Sequence, residues 1–349
     1  MKLNLSPLEG YEKQTDRFVK AYDLIDTILP VRSNKKQLKH PKKRSCRFCN
    51  HSFPNVKFSK TAHLFPELLG NKLLFSDFEC DSCNKKFGVY ENELAHFLGL
   101  ERAINGVRVK EKTPKFKSAD GLIKVETAIS DSSQVAIVSR EKTGNEAITY
   151  NKEDGKIEIS FRKPAYSPNK VYKALLKIAL SLLPQNEIAN DYKIALDYLM
   201  GRNPNKLNGC FISGYRLPIG YNFPIHSFIF KKRDSKFQVP THVMALYYQS
   251  TVLAIPIPLN RSDFSFLGKE IEMPLYPPLF SQLTYTKGLE VLPFQGDLSS
   301  EEKIREYDSL YFLLKKDEMA NSYKKDLKTG IIEKADFNPG EIMQIIIGE

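Results

Sequence analysis

The sequence has no apolar run long enough to cross a membrane, and this shortage excludes a class of protein at the outset. The longest uncharged apolar run, Thr251–Leu259, is far shorter than the roughly 20 residues that a spanning helix needs. The first residues, MKLNLSPLEGYEK, lack the apolar segment typical of a signal peptide. We therefore expect a cytoplasmic protein.

The signatures of several large enzyme classes are also missing. The chain contains no G-x-x-x-x-G-K-[ST], no H-E-x-x-H, no G-x-S-x-G and no dinucleotide-binding glycine pattern, so the phosphate, zinc-protease, hydrolase and dehydrogenase sites that depend on them are not indicated. Cys210 stands alone in an apolar stretch, and His226 and His242 stand alone in strand-like stretches. We expect these three residues to be structural.

Acidic residues are absent from one long segment of the chain. The protein has 349 residues, with 52 Lys and Arg against 41 Asp and Glu and a net charge of +11. Residues 31–60 contain ten basic residues and no acid. Such a run is commonly a solvated arm, but beside a metal-binding module it is suited to nucleic acid, because each neutralised phosphate releases counterions. The residues predicted to bind nucleic acid are Lys35, Lys36, Lys39, Lys42, Lys43, Arg44, Arg47, Lys57 and Lys60.

The few cysteines that are present fall into two close pairs. Of the five, Cys46 and Cys49 form one C-x-x-C pair, and Cys80 and Cys83 form another. In an intracellular protein, two such pairs usually supply the tetrahedral ligand set of a structural Zn²⁺. Closing the loop between them stabilises a module too small to fold by apolar burial alone. The alternative is two unrelated cysteine turns.

The hydrophobic patterns predict an α+β protein with antiparallel strands. Lys86–Leu98 has apolar residues at helical spacing and stops at Gly99, whereas short β-rich runs follow from about residue 107. We expect a helical and basic segment at 1–45, a cysteine-framed module at 46–102 and a larger α+β domain at 107–349. Further helices are expected within Met1–Leu29, from Ser167–Pro168 to Leu182, over Asn186–Met200 and from Ser299 or Ser300 to Lys315.

The residues between the cysteine pairs carry a resemblance to a known family. The matching elements are Cys46-x-x-Cys49, Ala62-His63-Leu64-Phe65-Pro66-Glu67, Leu69-Gly70-Asn71-Lys72, Cys80-Asp81-x-Cys83-Asn84, and Phe87-Gly88 with Glu91. In this order they resemble the HNH endonucleases, in the branch whose ββα-metal unit, with a treble-clef-like fold, is framed by a four-cysteine zinc site. The resemblance covers fifty to sixty residues and implies a nuclease module at this place in the chain.

The resemblance assigns catalytic roles to three residues. His63 corresponds to the general base, and a histidine can deprotonate water near neutral pH. Asn84 resembles the middle asparagine, which bridges the β-hairpin to orient the histidine or else contacts the metal. Glu91, with Asn92 or His96 less directly, would hold a catalytic divalent metal, Mg²⁺ or Mn²⁺, because such sites use one or two carboxylates.

One departure from the family pattern leaves two functions open. Ala62 stands where these nucleases commonly carry an acidic or histidine metal ligand before the general base. The first hypothesis is a metal-dependent HNH endonuclease that acts on DNA. The alternative is a zinc-stabilised nucleic-acid-binding protein whose catalytic site has decayed. The larger domain would select the target or restrain the nuclease, in response to an activating ligand or protein. A homodimer and a setting in bacterial defence are further hypotheses by analogy.

Overall fold

The structure is a computed structural model of the chain. It describes residues 6–7, 9–29, 44–104, 115–127, 135–139, 147–151, 153, 155–188, 191–202, 210–216, 225–266, 269–280, 291–313, 323–325, 332–334 and 344–347. Five of the predicted nucleic-acid-binding residues lie outside these ranges: Lys35, Lys36, Lys39, Lys42 and Lys43.

The described chain contains helices separated by runs of strands, and every strand pairing within the described ranges is antiparallel. The helices are α1 (Glu12–Ala21), α2 (Asp81–Leu98), α3 (Glu101–Ile104), α4 (Pro168–Leu182), α5 (Gln185–Ile188) and α6 (Lys193–Leu199). The strands are β1 (Ser6–Pro7), β2 (Tyr22–Ile28), β3 (Ala62–His63), β4 (Phe75–Ser76), β5 (Phe116–Lys117), β6 (Ile123–Thr127), β7 (Val135–Ser139), β8 (Ile148–Asn151), β9 (Lys156–Arg162), β10 (Phe211–Arg216), β11 (Ile225–Lys232), β12 (His242–Tyr248), β13 (Thr251–Ile257), β14 (Leu279–Phe280), β15 (Leu292–Asp297), β16 (Tyr307–Leu313), β17 (Tyr323–Lys325), β18 (Ile332–Lys334) and β19 (Gln344–Ile347). The predicted α+β class is confirmed.

The chain forms two compact units whose boundaries differ from the predicted domains. The first unit joins Met1–Leu94 to Ser167–Glu302, and the second joins Ala95–Tyr166 to Lys303–Glu349. The cysteine-framed segment therefore shares a unit with part of the region predicted as a separate α+β domain. The functional division at 45/46 and at 102/107 stays a prediction.

The first unit is built around a six-stranded sheet in the order β15-β10-β13-β12-β11-β2. The two central strands, β12 and β13, are buried along their whole length, as expected for strands rich in aromatic and β-branched residues. Helix α4 packs against β13, and the Tyr172 hydroxyl donates a hydrogen bond to the Pro256 carbonyl at 3.3 Å. Pro168 stands at the first position of α4, as its fixed φ favours.

The second unit contains two smaller sheets, in the orders β16-β9-β8 and β19-β7-β6-β5. Strand β9 alternates half-buried and buried residues, the period-two pattern of a strand with one face on a core. Among the described residues, the fully buried members of the apolar core of this unit are Leu100, Ile123, Val125, Ile137 and Ile159. Among the helices of the described ranges, none combines the length and apolar character needed to cross a bilayer.

Two helix predictions were wrong, and in both places the segment forms a strand. Residues 22–28 were expected to continue a helix, but α1 ends at Ala21 and β2 follows as the edge strand paired with β11. Residues 307–313 were expected to be helical, but they form β16, which pairs with β9 from Tyr307↔Arg162 to Leu313↔Lys156. In each case pairing with a distant strand overrides the local helical pattern.

Candidate functional site

The four paired cysteines converge on one point. Their sulfur atoms all lie within 4.8 Å of one another, and the Cys46–Cys83 and Cys49–Cys80 Sγ distances are both 3.7 Å. A disulfide would need a separation of about 2.0 Å, whereas four sulfurs bound at about 2.3 Å to one tetrahedral ion lie roughly 3.8 Å apart. The four cysteines are therefore positioned to bind a metal ion, as their spacing predicts.

Backbone hydrogen bonds within each cysteine pair position the four sulfur atoms. The Asn50 N–H donates to the Cys46 carbonyl at 2.8 Å, which closes the first knuckle, and the Asn84 N–H donates to the Cys80 carbonyl at 2.9 Å in the second. The Cys80 N–H also points at the Cys46 sulfur, at 3.5 Å. Helix α2 begins at Asp81, so the second pair lies at a helix N-terminus, where the helix dipole favours thiolates.

The segment between the pairs forms a short β-hairpin that carries His63. Strands β3 and β4 pair with Ala62 opposite Ser76 and His63 opposite Phe75, and the His63 and Phe75 rings meet edge to face at 5.1 Å. His63 is half-buried, and Ala62 before it is fully buried. The hairpin and α2 together are the ββα arrangement that the resemblance implies.

Asn71, rather than Asn84, bridges the hairpin. Its side-chain amide is fully buried and donates hydrogen bonds to the carbonyls of Phe65 and Leu74, both at 2.8 Å. Its amide oxygen accepts from the N–H groups of Leu73 and Leu74, at 3.2 and 2.9 Å. Gly70, at φ +86°, supplies the left-handed turn just before it. The structure thus gives Asn71 the bridging contacts that were one of the two roles predicted for Asn84. The other role, contact with the metal, stays a prediction.

Asn84 itself lies half-buried in the first turn of α2. Within the described residues, the hydrogen bond recorded for it is that of its backbone N–H. His96, one of the alternatives to Glu91, has its Nδ1 atom 3.1 Å from the Ala165 carbonyl within the second unit. Gly70-Asn71 is a turn sequence within the segment that carries the resemblance. The sequence therefore contained a signal for a turn at Asn71.

Glu91 faces a buried ion pair that the sequence did not reveal. The Lys177 ammonium, from α4, lies 3.8 Å from the nearer Glu91 carboxylate oxygen and 3.2 Å from that of Glu79. It also donates to the His63 carbonyl at 2.7 Å. The predicted base and the predicted metal ligand therefore contact the same nitrogen atom. Lys177 is far from His63 and Glu91 in sequence, and the residues around it do not predict that it contacts them.

Burial governs the electrostatics of these carboxyl groups. Desolvation raises the pKa of Glu79 to about 7, and the Lys177 ammonium opposes that rise. The pKa of Glu91 is raised by the same cause and opposed by the same lysine. The Lys177 ammonium thus stabilises the charged form of the Glu79 and Glu91 carboxyl groups.

The predicted catalytic metal does not fit the Glu91 carboxylate as the chain is folded here. The position beside Glu91 is taken by the ammonium of Lys177, a cation of the protein itself. Across the described ranges, the cysteine set is the group of three or more potential ligands close enough to share an ion. A divalent ion held by Glu91 would lie against that ammonium, and the two charges would repel.

Of the predicted basic residues that are described, three are exposed and one is not. Arg44, Lys57 and Lys60 are exposed on the module. The Arg47 guanidinium instead donates to the carbonyls of Leu180, Ser181 and Leu183 at the end of α4, at 2.9, 3.0 and 3.2 Å. Burial lowers its pKa to about 10. Arg47 is therefore a cap of this helix C-terminus, and its contact with nucleic acid stays a prediction.

The three residues expected to be structural all lie inside the protein. Cys210 is fully buried, with its sulfur 3.6 Å from the Tyr198 hydroxyl. His242 is fully buried and lies 2.7 Å from the Tyr192 hydroxyl. His226 is buried and stacks on Tyr247 with ring centroids 4.4 Å apart.

Comparison with known proteins gives a family match for the cysteine-framed segment of the chain. Residues 46–93 match the family model of the HNH endonucleases, which confirms the resemblance for these residues. Neither the curated proteins nor the solved structures contain a match to the chain. The match associates the cysteine-framed segment, Cys46–Leu94 and hereafter the cysteine module, with nuclease chemistry on nucleic acid.

Proposed function

We propose that the protein is an HNH endonuclease that hydrolyses phosphodiester bonds of DNA. The observation that carries the proposal is the position of His63 on the β3–β4 hairpin of a segment that matches the HNH endonucleases. The Asn71 hydrogen bonds fix the hairpin, and the metal-binding cysteines fix α2 beside it.

In this proposal His63 acts as the general base. Its imidazole accepts a proton from a water molecule as that water attacks the scissile phosphorus, and the bond from phosphorus to the 3′ oxygen breaks. The leaving 3′ oxygen takes its proton from solvent. The pairing of β3 with β4 and the Lys177 hydrogen bond to the His63 carbonyl hold the backbone that presents the ring. The exposed Arg44, Lys57 and Lys60 bring positive charge to the phosphate backbone of the substrate.

We assign Zn²⁺ to the four cysteines. Four thiolates in tetrahedral spacing are the ligand set of structural zinc sites, and the measured sulfur separations agree with that geometry. The metal would hold the first knuckle to the start of α2. Mg²⁺ or Mn²⁺ is the cation expected to support hydrolysis, and Glu91 is not assigned as its ligand. The cytoplasmic location, the homodimer and the activating partner stay predictions.

A second function is favoured by two observations. Ala62 is a small buried residue where a metal ligand commonly precedes the base, and Lys177 already neutralises Glu91. Both fit a zinc-stabilised protein that binds nucleic acid without cutting it. Asn84 does not distinguish the two functions, because its side chain would contact a metal only if the protein is a nuclease.

Cleavage of supercoiled plasmid by the zinc-loaded full chain separates these functions. We expect nicked or linear DNA with Mg²⁺ or Mn²⁺ and intact DNA with EDTA. His63→Ala should abolish the cutting, and His51→Ala, at an exposed histidine of the same module, should retain it. Plasmid that stays intact with every metal, although the protein retards it in a gel, would contradict cleavage by the chain alone and leave two explanations, a binding protein or a nuclease that awaits an activator; Ala62→Asp is then the next test. Labelled RNA and single-stranded DNA in parallel reactions rank the substrates.

A further inference from the structure

Lys177 is placed at the cysteine module by a helix that lies outside it in sequence. It occupies the middle of α4, which is buried on nearly all sides, and its side chain is 1% exposed. Its ammonium nitrogen contacts one backbone carbonyl and two carboxylates of the module, those of His63, Glu79 and Glu91. The three groups come from β3, from the residue before Cys80 and from α2.

The three oxygen groups form an arrangement that calls for a cation. Two carboxylates and a carbonyl that converge on one point are the donor types by which proteins hold hard cations. Glu79 is fully buried, so its charge cannot rely on water, whereas Glu91, 22% exposed in its side chain, is only partly hydrated. Charges in such surroundings persist only when they are paired.

We infer that Lys177 is the resident cation of this site and that Glu91 pairs with it in the folded protein instead of binding a divalent metal. The inference builds on the proposed function, because it changes which groups serve the reaction of the cysteine module. Lys177 acts as a positioning residue: it holds the His63 backbone and neutralises Glu79 and Glu91, and its burial keeps it away from the substrate.

The alternative is a metal ion at Glu91 in addition to Lys177, and electrostatics disfavours it. A divalent ion bound to the Glu91 carboxylate would lie a few ångströms from the ammonium in a poorly solvated place, where charge repulsion is strong. Displacement of Lys177 would require its side chain to leave the buried position that it reaches from α4. It would also lose its hydrogen bond to His63 and its ion pair with Glu79.

Binding of Mn²⁺ to the zinc-loaded full chain tests the inference without reference to cleavage. Titration followed by electron paramagnetic resonance should give the same Mn²⁺ affinity, within twofold, for the wild type, for Glu91→Gln and for Glu67→Gln, a control at a half-buried acid of the same module. If Glu91→Gln alone weakens Mn²⁺ binding tenfold or more, Glu91 is a metal ligand and the inference fails.

A second variant tests the lysine directly. Lys177→Met should gain one Mn²⁺ site that the double variant Lys177→Met/Glu91→Gln lacks, while Lys177→Arg should gain none. A folded Lys177→Met that binds no additional Mn²⁺ would contradict the inference. If Lys177→Met fails to fold, the wild type and Glu91→Gln decide the question alone. A protein that cuts no plasmid leaves these binding results intact, so failure of the proposed function is distinguishable.

Discussion

The cysteine module and the six-stranded sheet belong to one compact unit but are stabilised by different forces. In the module the strands β3 and β4 have two residues each, and metal-binding thiols, the buried amide of Asn71 and the ammonium of Lys177 add to a small apolar core. In the sheet, β12 and β13 are each seven residues long and fully buried. The same unit therefore combines polar contacts with apolar burial where a site must form and relies mainly on apolar burial in the sheet.

The largest expected effect is that of metal removal on the module alone. Chelation, or Cys80→Ser, should unfold residues 46–94, because ligand binding supplies the folding free energy of small metal modules, roughly 10 kcal/mol or more in isolated zinc fingers. Hydrogen exchange followed by mass spectrometry should show protection lost there and kept in β12 and β13.

The matched control for metal removal is Cys210→Ser. Cys210 is buried away from the four ligands, so its loss should leave the metal content and the exchange of the module unchanged. Loss of protection in β12 and β13 on chelation would show that the two regions are not stabilised separately.

Replacement of Lys177 should have the next largest effect. Lys177→Met leaves the fully buried Glu79 carboxylate without its cation, and breaking one partner from a buried pair costs about 3–5 kcal/mol. Urea unfolding should show this loss of stability. Lys170→Met, at a half-buried lysine of the same helix, should cost less than about 1 kcal/mol; equal losses in the two variants would assign the effect to the helix and not to the ion pair.

Asn71→Ala tests the hairpin bridge. The substitution removes four hydrogen bonds, and the Phe65 carbonyl and the N–H groups of Leu73 and Leu74 lose their Asn71 partner, at a cost of about 2–3 kcal/mol. The Leu74 carbonyl still accepts from the Leu64 N–H. It should also lower plasmid cleavage more than tenfold, because the hairpin that carries His63 loosens. Asn84→Ala is the comparison for predicted and observed roles: its side chain should contribute under about 1 kcal/mol. A larger effect at Asn84 than at Asn71 would restore the predicted assignment.

The smallest expected effect is a pH dependence that comes from the sheet. Burial lowers the pKa of His226 to about 4, below its value of about 6.5 in an unfolded chain. The unfolded state therefore binds a proton that the folded state does not, so the contribution of this residue is complete above pH 6.5 and is lost as the pH falls towards 4.

Between pH 7.5 and 5 this residue should account for about 2 kcal/mol of lost stability. His226→Phe keeps an aromatic ring against Tyr247 and should reduce the loss by that amount in urea titrations at the two pH values. An unchanged pH dependence in the variant would mean that other groups, such as His242, carry the effect.

Local patterns predicted much of both regions. The interval from Lys86 to Leu98 lies within α2, Gly99 follows at φ +56°, and the strand-like stretches that contain His226 and His242 form β11 and β12. These elements are determined by side-chain periodicity and by a glycine that permits a left-handed turn. Residues 22–28 and 307–313 were mispredicted because their partners, β11 and β9, lie far away in sequence.

The sequence alone determined the four-cysteine set, the resemblance of residues 46–93 to the HNH endonucleases and the candidate base. Each is encoded within short spacings, where ligand geometry and turn chemistry restrict the residues that can be used. The tertiary structure decided that Asn71 bridges the hairpin, that Arg47 caps α4 and that Lys177 lies against Glu79 and Glu91. A charged side chain has the same local signature on the surface and in an ion pair. The packing of α4 against the cysteine module determines which groups the side chain contacts. The spacing of residues along the chain does not predict that packing.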